Sequence, residues 1–317
     1  MDSKPLCAVW VVTYNQKDFI AQTIDCIVAQ KTNFPFKIYI GDDCSTDGTR
    51  EICIRYKNVY PDLIELIFNS TNLMRQNSAN VFGACMQSGA NFIALCEGDD
   101  YWVDEFKLQK QVNFLENNDQ YIICFTRGFV QNGFAQTETL NSEYTEGVEL
   151  SVYDFIKANT QLTASAVFRN NTGFFLPPWF GDLPFGDWAL YLLLMHTYNK
   201  KAFCLPDPTV VYRIHGSGNH GNMHSSNIKL IAAYQMHISF YKAIEKKLLG
   251  KTYKEAINNA ISEKISIITD LCSKEKKILK GIKINIGHIL KDLPFKRFLK
   301  NIFFLQKQYI KSLIRRA

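Results

Sequence analysis

The chain has 317 residues, 47% of them hydrophobic, and a formal net charge of +6. That length suffices for one large domain or a domain with an appendage, and the composition is ordinary for a soluble globular protein. No uninterrupted apolar run approaches the roughly 18 residues that cross a bilayer. Met1–Pro5 lead into a strand-like segment without a signal-peptide pattern, so a cytoplasmic location is the default expectation.

The elements alternate from the start. Leu6–Thr13 is an apolar, β-branched run, and Asp18–Lys31 carries apolar residues at helical spacing. Lys37–Gly41 is a short strand, followed by the polar loop Asp42-Asp43-Cys44-Ser45-Thr46-Asp47-Gly48-Thr49. Thr49–Tyr60 reads as a helix, Leu63–Phe68 as a strand, Ser78–Ser88 as a helix and Phe92–Cys96 as a strand. Asp104–Glu116 is helical and Tyr121–Arg127 a further strand. This alternation predicts an α/β fold with a mostly parallel central sheet. Ligands of such sheets bind beyond the carboxyl ends of the strands.

Beyond residue 130 the pattern loosens. Asn132–Gly147 reads as a polar connection, Val152–Asn159 as a short helix and Thr163–Phe168 as a strand. Pro177–Pro184 forces an irregular segment. Gly186-Asp187-Trp188 opens an apolar helix that ends near His196, and Thr209–Ile214 is a strand leading into a Gly-rich loop at His215–Gly221. Residues 225–270 suggest two helices, so the domain boundary is expected at 224/225, with a helical C-terminal region over 225–317.

Charge is unevenly divided. Residues 271–317 carry 13 Lys and Arg against two acids, an excess of +11 that leaves −5 on residues 1–270. Phe295, Phe298, Leu299, Ile302, Phe303, Ile310, Leu313 and Ile314 recur at helical spacing among these bases. Such a helix suits an anionic membrane surface, packing on the catalytic domain, or a homo-oligomer contact. No nucleic-acid motif accompanies the charge, so no nucleic-acid partner is expected. The nine cysteines are scattered without a C-x-x-C pair and read as small buried hydrophobes.

Chemistry concentrates where strands end. Ile93-Ala94-Leu95-Cys96 stops abruptly in Glu97-Gly98-Asp99-Asp100. Carboxylates this close repel unless a cation or a hydrogen-bonding shell compensates them, and hard cations take oxygen ligands. Asp99 is the first metal-ligand candidate and Glu97 the second, while Asp100 suits the site or a turn cap equally. Asp42 and Asp43 fit contacts to a base or ribose, or a turn and cap network with Ser45, Thr46 and Asp47. Thr13 and Tyr14 end the first strand, where Tyr14 serves either stacking or packing. Asp187 is either a helix cap or a partly desolvated proton acceptor beside Trp188. Trp179, Phe180 and Trp188 offer ring faces to a sugar or belong to the core. Arg213 and His215 suit phosphate oxygens or a metal.

At these residues the chain resembles family 2 glycosyltransferases of the inverting GT-A type over approximately residues 4–220. Val11-Val12-Thr13-Tyr14-Asn15 is similar to that family's first strand and nucleotide-binding edge. Gly41–Thr49 matches its D-D-G-S-x-D-G-T loop, with Cys44 in place of Gly. Glu97-Gly98-Asp99-Asp100 stands at its D-x-D-D signature, and Gly186-Asp187 resembles its E-D motif with Gly replacing Glu. Tyr212-Arg213-Ile214-His215 resembles the loop that closes over the diphosphate.

The resemblance implies a nucleotide-diphospho-sugar transferase fold and a donor such as a UDP- or dTDP-sugar. It implies donor contacts from Thr13, Tyr14, Asp42, Asp43, Glu97, Gly98 and Arg213. A divalent cation, Mn²⁺ or Mg²⁺, would lie on Asp99 with Glu97 and His215. Asp187 would be the base in an inverting hexosyl transfer to a glycan or lipid-linked acceptor, as in surface-polysaccharide or lipopolysaccharide synthesis. A nucleotidyltransferase would carry a Gly-rich phosphate loop after the first strand, which Thr13–Lys17 lack. An inactive glycan-binding or assembly protein is the other alternative.

Overall fold

The structure, a computed structural model, describes residues 4–133, 135–171, 174–215 and 226–274, without the side chains of 135–140 and 272–274. The chain divides into two compact units, 1–215 and 216–317. The boundary expected at 224/225 and the basic tail beyond residue 274 lie outside the described residues.

In the first unit the apolar runs become the strands of one sheet. β1 (Cys7–Thr13) is central and lies parallel to β2 (Phe36–Asp42) on one side and β4 (Phe92–Glu97) on the other, with β3 (Ile64–Phe68) parallel to β2. The helix α1 (Ile20–Val28) buries Ile20, Thr23, Ile24 and Ile27, the helical spacing of its apolar face. α2 (Thr49–Val59) buries only Thr49 and Cys53. α3 (Arg75–Gln87) packs against β1 and β2 through Asn77, Val81, Phe82 and Cys85. Gly41 permits that approach, because a Cβ there would collide with Val81 and Asn77.

The second half of the unit is mixed. β5 (Tyr101–Trp102), α4 (Lys107–Asn117) and β6 (Tyr121–Asn132) follow the acidic turn. β7 (Ala135–Leu140) and β8 (Val148–Leu150) precede α5 (Val152–Lys157), a 3-10 turn at Thr163–Ser165 and β9 (Val167–Arg169). α6 (Gly186–Tyr198) and β10 (Lys201–Ile214) complete it. The order is β3-β2-β1-β4-β9-β6-β10-β5, with β7 on β6 and β8 on β10. β9 is antiparallel to both β4 and β6, and two reversals restore direction. β6 therefore runs with β4, and β10, parallel to β6, ends at the same edge as β1, β2 and β4. β1–β4, β6 and β10 carry the parallel pairings and β5, β7, β8 and β9 the antiparallel ones, giving the expected α/β architecture.

Four local expectations need correction. Residues 132–147 are not a plain connection: they hold β7, recruited by ladder hydrogen bonds to β6 rather than by an apolar face. Thr163–Phe168 divides into the 3-10 turn and β9. β10 starts at Lys201 rather than Thr209, running through Pro206 and Pro208 with register shifts around Pro208 that accommodate a residue unable to donate. α3 begins at Arg75, three residues early, because the carboxylate of Asp43 caps the preceding Leu73 and Met74 from across the loop.

The eight cysteines with described side chains are free thiols, and burial pushes those of Cys7, Cys53 and Cys204 up to about 12. They are packing residues. In the second unit, α7 (Asn227–Ile244) and α8 (Lys254–Lys274) pack together, with Ser226 capping α7 by accepting from Lys229 N. Among the described residues no helix is long and apolar enough to cross a membrane.

Candidate functional site

The edge where β1, β2 and β4 end is set by register: Thr13 pairs with Asp42, and Val12 with Glu97. The strand order turns around β1 there, the place where open α/β sheets leave a crevice. The loop after β1 and the loop after β2 are tied together. Asn15 N donates to Ser45 Oγ (2.9 Å), Thr46 N to Asn15 Oδ1 (2.9 Å), and Gln16 N to Thr49 Oγ1 (2.8 Å). Tyr14 stands out from this edge with 47% of its surface exposed.

Asp42 and Asp43 are both buried and turned into this framework. Asp42 Oδ2 pairs with Arg50 Nε (2.7 Å) and accepts from Ser45 N (3.2 Å). Arg50 in turn donates to Asn69 O and lies over the Phe68 ring. Asp43 accepts from Asn69 Nδ2 (2.9 Å), Leu73 N (2.7 Å) and Met74 N (2.7 Å). Both acids thus hold loops: Asp42 through Ser45, as in the turn-and-cap alternative, and Asp43 through Asn69, Leu73 and Met74 instead. Met74, held at φ 52°, is 78% exposed.

The acidic turn is built the same way. Gly98 N continues the ladder to Val12 O (2.9 Å), and Asp100 N closes the turn on Glu97 O (3.1 Å). Thr23 Oγ1, on α1, donates to Gly98 O and Asp100 O. Asp100 is buried, with Oδ1 accepting from Arg213 N (3.0 Å), so it joins the turn to β10. Arg213 spends its guanidinium on Asp99 O (2.6 Å) and Gln22 Oε1, and lies over the rings of Tyr101 and Phe19. Its position locks the end of β10 onto the turn.

That lock delivers His215. His215 Nε2 lies 2.9 Å from Asp99 Oδ2, and the two side chains are 16% and 23% exposed. Among the described residues no group of three or more His, Cys, Asp or Glu forms a ready-made metal cage. A carboxylate oxygen and an imidazole nitrogen side by side nevertheless fit a hard or borderline divalent ion. Such ions are commonly held by one or two protein donors, with substrate phosphates and water supplying the others.

Asp187 reaches the edge from α6. Its helix is buried all along one run, Trp188–Met195, and Trp188 Nε1 donates to Phe155 O (2.7 Å), binding α6 to α5. Trp188 is therefore core rather than a sugar platform. Asp187 Oδ2 accepts from Asn159 Nδ2 (3.0 Å). Burial raises its carboxyl pKa above the ordinary range, against the backbone N–H groups at the helix start, Asn159 and Thr163, which favour the charged form. Glu97 is pushed up to about 8 by burial first, then by the fields of Asp99 and Asp187, with Thr163 opposing. Tyr212 and Tyr191 are raised as well, by burial and then by neighbouring carboxylates that include Glu97 and Asp187. Residues 97, 99, 187, 213 and 215 thus converge on one region.

The sequence reading did not single out Asn159, Thr163, Gln22 or Phe19. The one local signal was the polar triplet Asn159-Thr160-Gln161 between apolar segments, since none of these residues lies in a recognisable motif. The rest of the Gly-rich loop, 216–221, lies outside the described residues.

Comparison with known proteins bears on the family and the fold. A model described as glycosyl transferase family 2 matches residues 8–174. An uncharacterized protein of Mycobacterium tuberculosis is 34% identical over 222 residues, 68% of this chain and 60% of that one. The chain therefore spans 60% of the length of that relative. The dTDP-rhamnosyl transferase RfbG of Shigella flexneri is 24% identical over 234 residues, 71% of this chain and 77% of that one. In fold, the chain is similar to the mannosyltransferase PcManGT of Pyrobaculum calidifontis, solved with GDP-Man and Mn²⁺, at TM-score 0.57 and 15% identity. That match covers 99% of this chain and 88% of the other. It is also similar to S. aureus TarS 1-349 solved with UDP-GlcNAc, at TM-score 0.56 and 16% identity, covering 96% and 92%. A family model that spans more than half the chain, on a sheet edge of this construction, establishes that the protein belongs to glycosyltransferase family 2 and has a GT-A fold.

Proposed function

We propose that the protein transfers a hexosyl group from a nucleotide-diphosphate-sugar donor to a hydroxyl of a glycan or lipid-linked acceptor, by single displacement with inversion. Family membership supports the transfer itself. What supports the mechanism is a buried Asp187 at the start of α6, held by Asn159 Nδ2 at 3.0 Å, with a charge that raises the carboxyl pKa of Glu97, 90 residues away in sequence. A carboxylate whose pKa is raised by burial is suited to take a proton from an attacking hydroxyl near neutral pH. In this reading Asp187 removes the acceptor's proton while that oxygen attacks the anomeric carbon from the face opposite the leaving diphosphate.

The donor would lie along the edge from Tyr14 to His215. Tyr14 is the exposed surface for the base, with Thr13 beside it, and Asp42 and Asp43 act by holding the loops that shape that end. Gly98 would meet the donor through its backbone, since the space a side chain would take there is filled by Thr13 and Gln16, and Glu97 would lie toward the ribose or metal. Arg213 fixes the Asp99 backbone facing the diphosphate. Asp99 and His215 would hold Mn²⁺ or Mg²⁺, which when bound offsets charge on the departing diphosphate. The names of relatives support this donor class: one is a dTDP-rhamnosyl transferase, one was solved with UDP-GlcNAc and one with GDP-Man and Mn²⁺. We assign UDP- or dTDP-sugars as donors and surface-polysaccharide or lipopolysaccharide synthesis as the setting, with the enzyme cytoplasmic and peripheral on the membrane through its basic tail.

The test is a donor panel with Mg²⁺ or Mn²⁺, measuring nucleotide diphosphate release, sugar transfer and product stereochemistry. Wild type should transfer with inversion, and Asp99→Asn and Asp187→Asn should each lower the rate by at least about 100-fold. A product with retained configuration would remove Asp187 from the role of base.

A further inference from the structure

The carboxylate proposed as base does not stand alone, and the chemistry of its partner is informative. Asn159 Nδ2 donates to Asp187 Oδ2 at 3.0 Å, while Asn159 Oδ1 accepts from Gln161 N at 3.2 Å. A carboxamide oxygen accepts and its nitrogen donates, so the contact with Gln161 N orients the amide with its N–H₂ group toward Asp187. The two ends of this bond sit on elements fastened to each other. Asn159 follows α5, whose start is closed by a reciprocal Ser151–Asp154 capping box. Asp187 opens α6, and Trp188 Nε1 on Phe155 O joins the helices one residue beyond it. Behind them Tyr191 packs edge-on against Phe125 and Phe155, at 4.9 and 5.8 Å between ring centroids.

We propose that Asn159 is the positioning residue of Asp187, presenting its carboxylate in one orientation to the acceptor hydroxyl. The inference rests on the reading of Asp187 as base. A neutral donor suits this task. A lysine or arginine in the same place would favour the ionised carboxylate strongly and weaken it as a proton acceptor, whereas an amide fixes direction without adding a charge. Thr163 assists, its hydroxyl favouring the charged form of both Asp187 and Glu97. The acceptor side of the site is thus oriented from the α5–β9 connection, a segment outside the five segments that resemble the family.

Asn159→Asp and Asn159→Ala separate donation from packing. The first keeps the shape and the contact with Gln161 N but sets a second carboxyl where the amide donated at 3.0 Å, so that the pair shares one proton and the base is no longer held by a neutral donor, and the second removes the side chain. Steady-state transfer should show kcat lowered about 10- to 100-fold in both, a part of the 10²–10⁴ that general-base catalysis contributes. The KM for the donor should stay within about threefold, with an unchanged thermal midpoint. Wild-type kcat in Asn159→Asp would overturn the proposal, as would a kcat loss accompanied in both variants by a lower thermal midpoint or a matching rise in donor KM. Asp187→Asn, run in parallel, distinguishes the two layers. If it retains wild-type rate, the assignment of the base fails. If it is inactive while the Asn159 variants behave as wild type, only the positioning role fails.

Discussion

A Cβ on Gly98 would lie 2.8 Å from Thr13 Cβ, 2.9 Å from Thr13 Oγ1 and 2.5 Å from Gln16 Oε1. Gln16 can swing aside, but Thr13 is fixed in β1, so the turn carrying Glu97 and Asp99 must shift. Gly98→Ala should therefore cost stability of about 1–3 kcal/mol, seen in denaturant unfolding, and at least tenfold in kcat/KM. Adding Thr13→Ala should recover only a small part of the stability loss, because it removes Oγ1 and leaves Cβ, the nearer Thr13 obstruction. The same scale explains what residue types alone conveyed. Asp99 and Asp187 stood out as carboxylates at element boundaries. That Asp42 and Asp43 are buried in hydrogen bonds, one with Arg50 and the other with Leu73 and Met74, depends on partners up to 31 residues distant.

On α4, Lys107 is fully buried with no hydrogen-bond partner for Nζ among the described residues, and its ammonium lies 4.2 Å over the Trp102 ring. Burial lowers its pKa from 10.5 to about 8. Between those values the unfolded chain binds more protons than the folded one, so this group makes stability rise as pH increases from about 8 to 10.5. The buried thiols, whose pKa values are raised, act oppositely above pH 9. The difference between wild type and Lys107→Met isolates the lysine. The variant should be more stable at pH 7, by at most about 3 kcal/mol, and its advantage should shrink toward pH 10.5 in urea melts. Element boundaries show a similar split between local and distant causes. α1 and β4 follow from apolar periodicity, while the start of α3 is set by a cap from Asp43, and β10 persists through two prolines because β6 pairs along its length.

For the whole molecule, the contrast between a −5 body and a +11 tail carries the proposed membrane association. The full chain should float with anionic vesicles at low salt and be released as salt shortens the screening length, whereas a chain ending at residue 270 should remain unbound. Equal weak binding by both would remove the tail from that role. Local residue order was enough for the α/β alternation, the strand-end acids and the family motifs, because burial periodicity and charge clustering are local properties. Tertiary structure alone decided which acids meet, since Asp187 and His215 reach the acidic turn through β9's two reversals, the α5–α6 fastening and the Arg213 lock. It also decided that Asn159, in no motif, faces Asp187. Those outcomes arise from packing between segments far apart in the chain, where loop closure and register, not neighbouring residues, set the geometry.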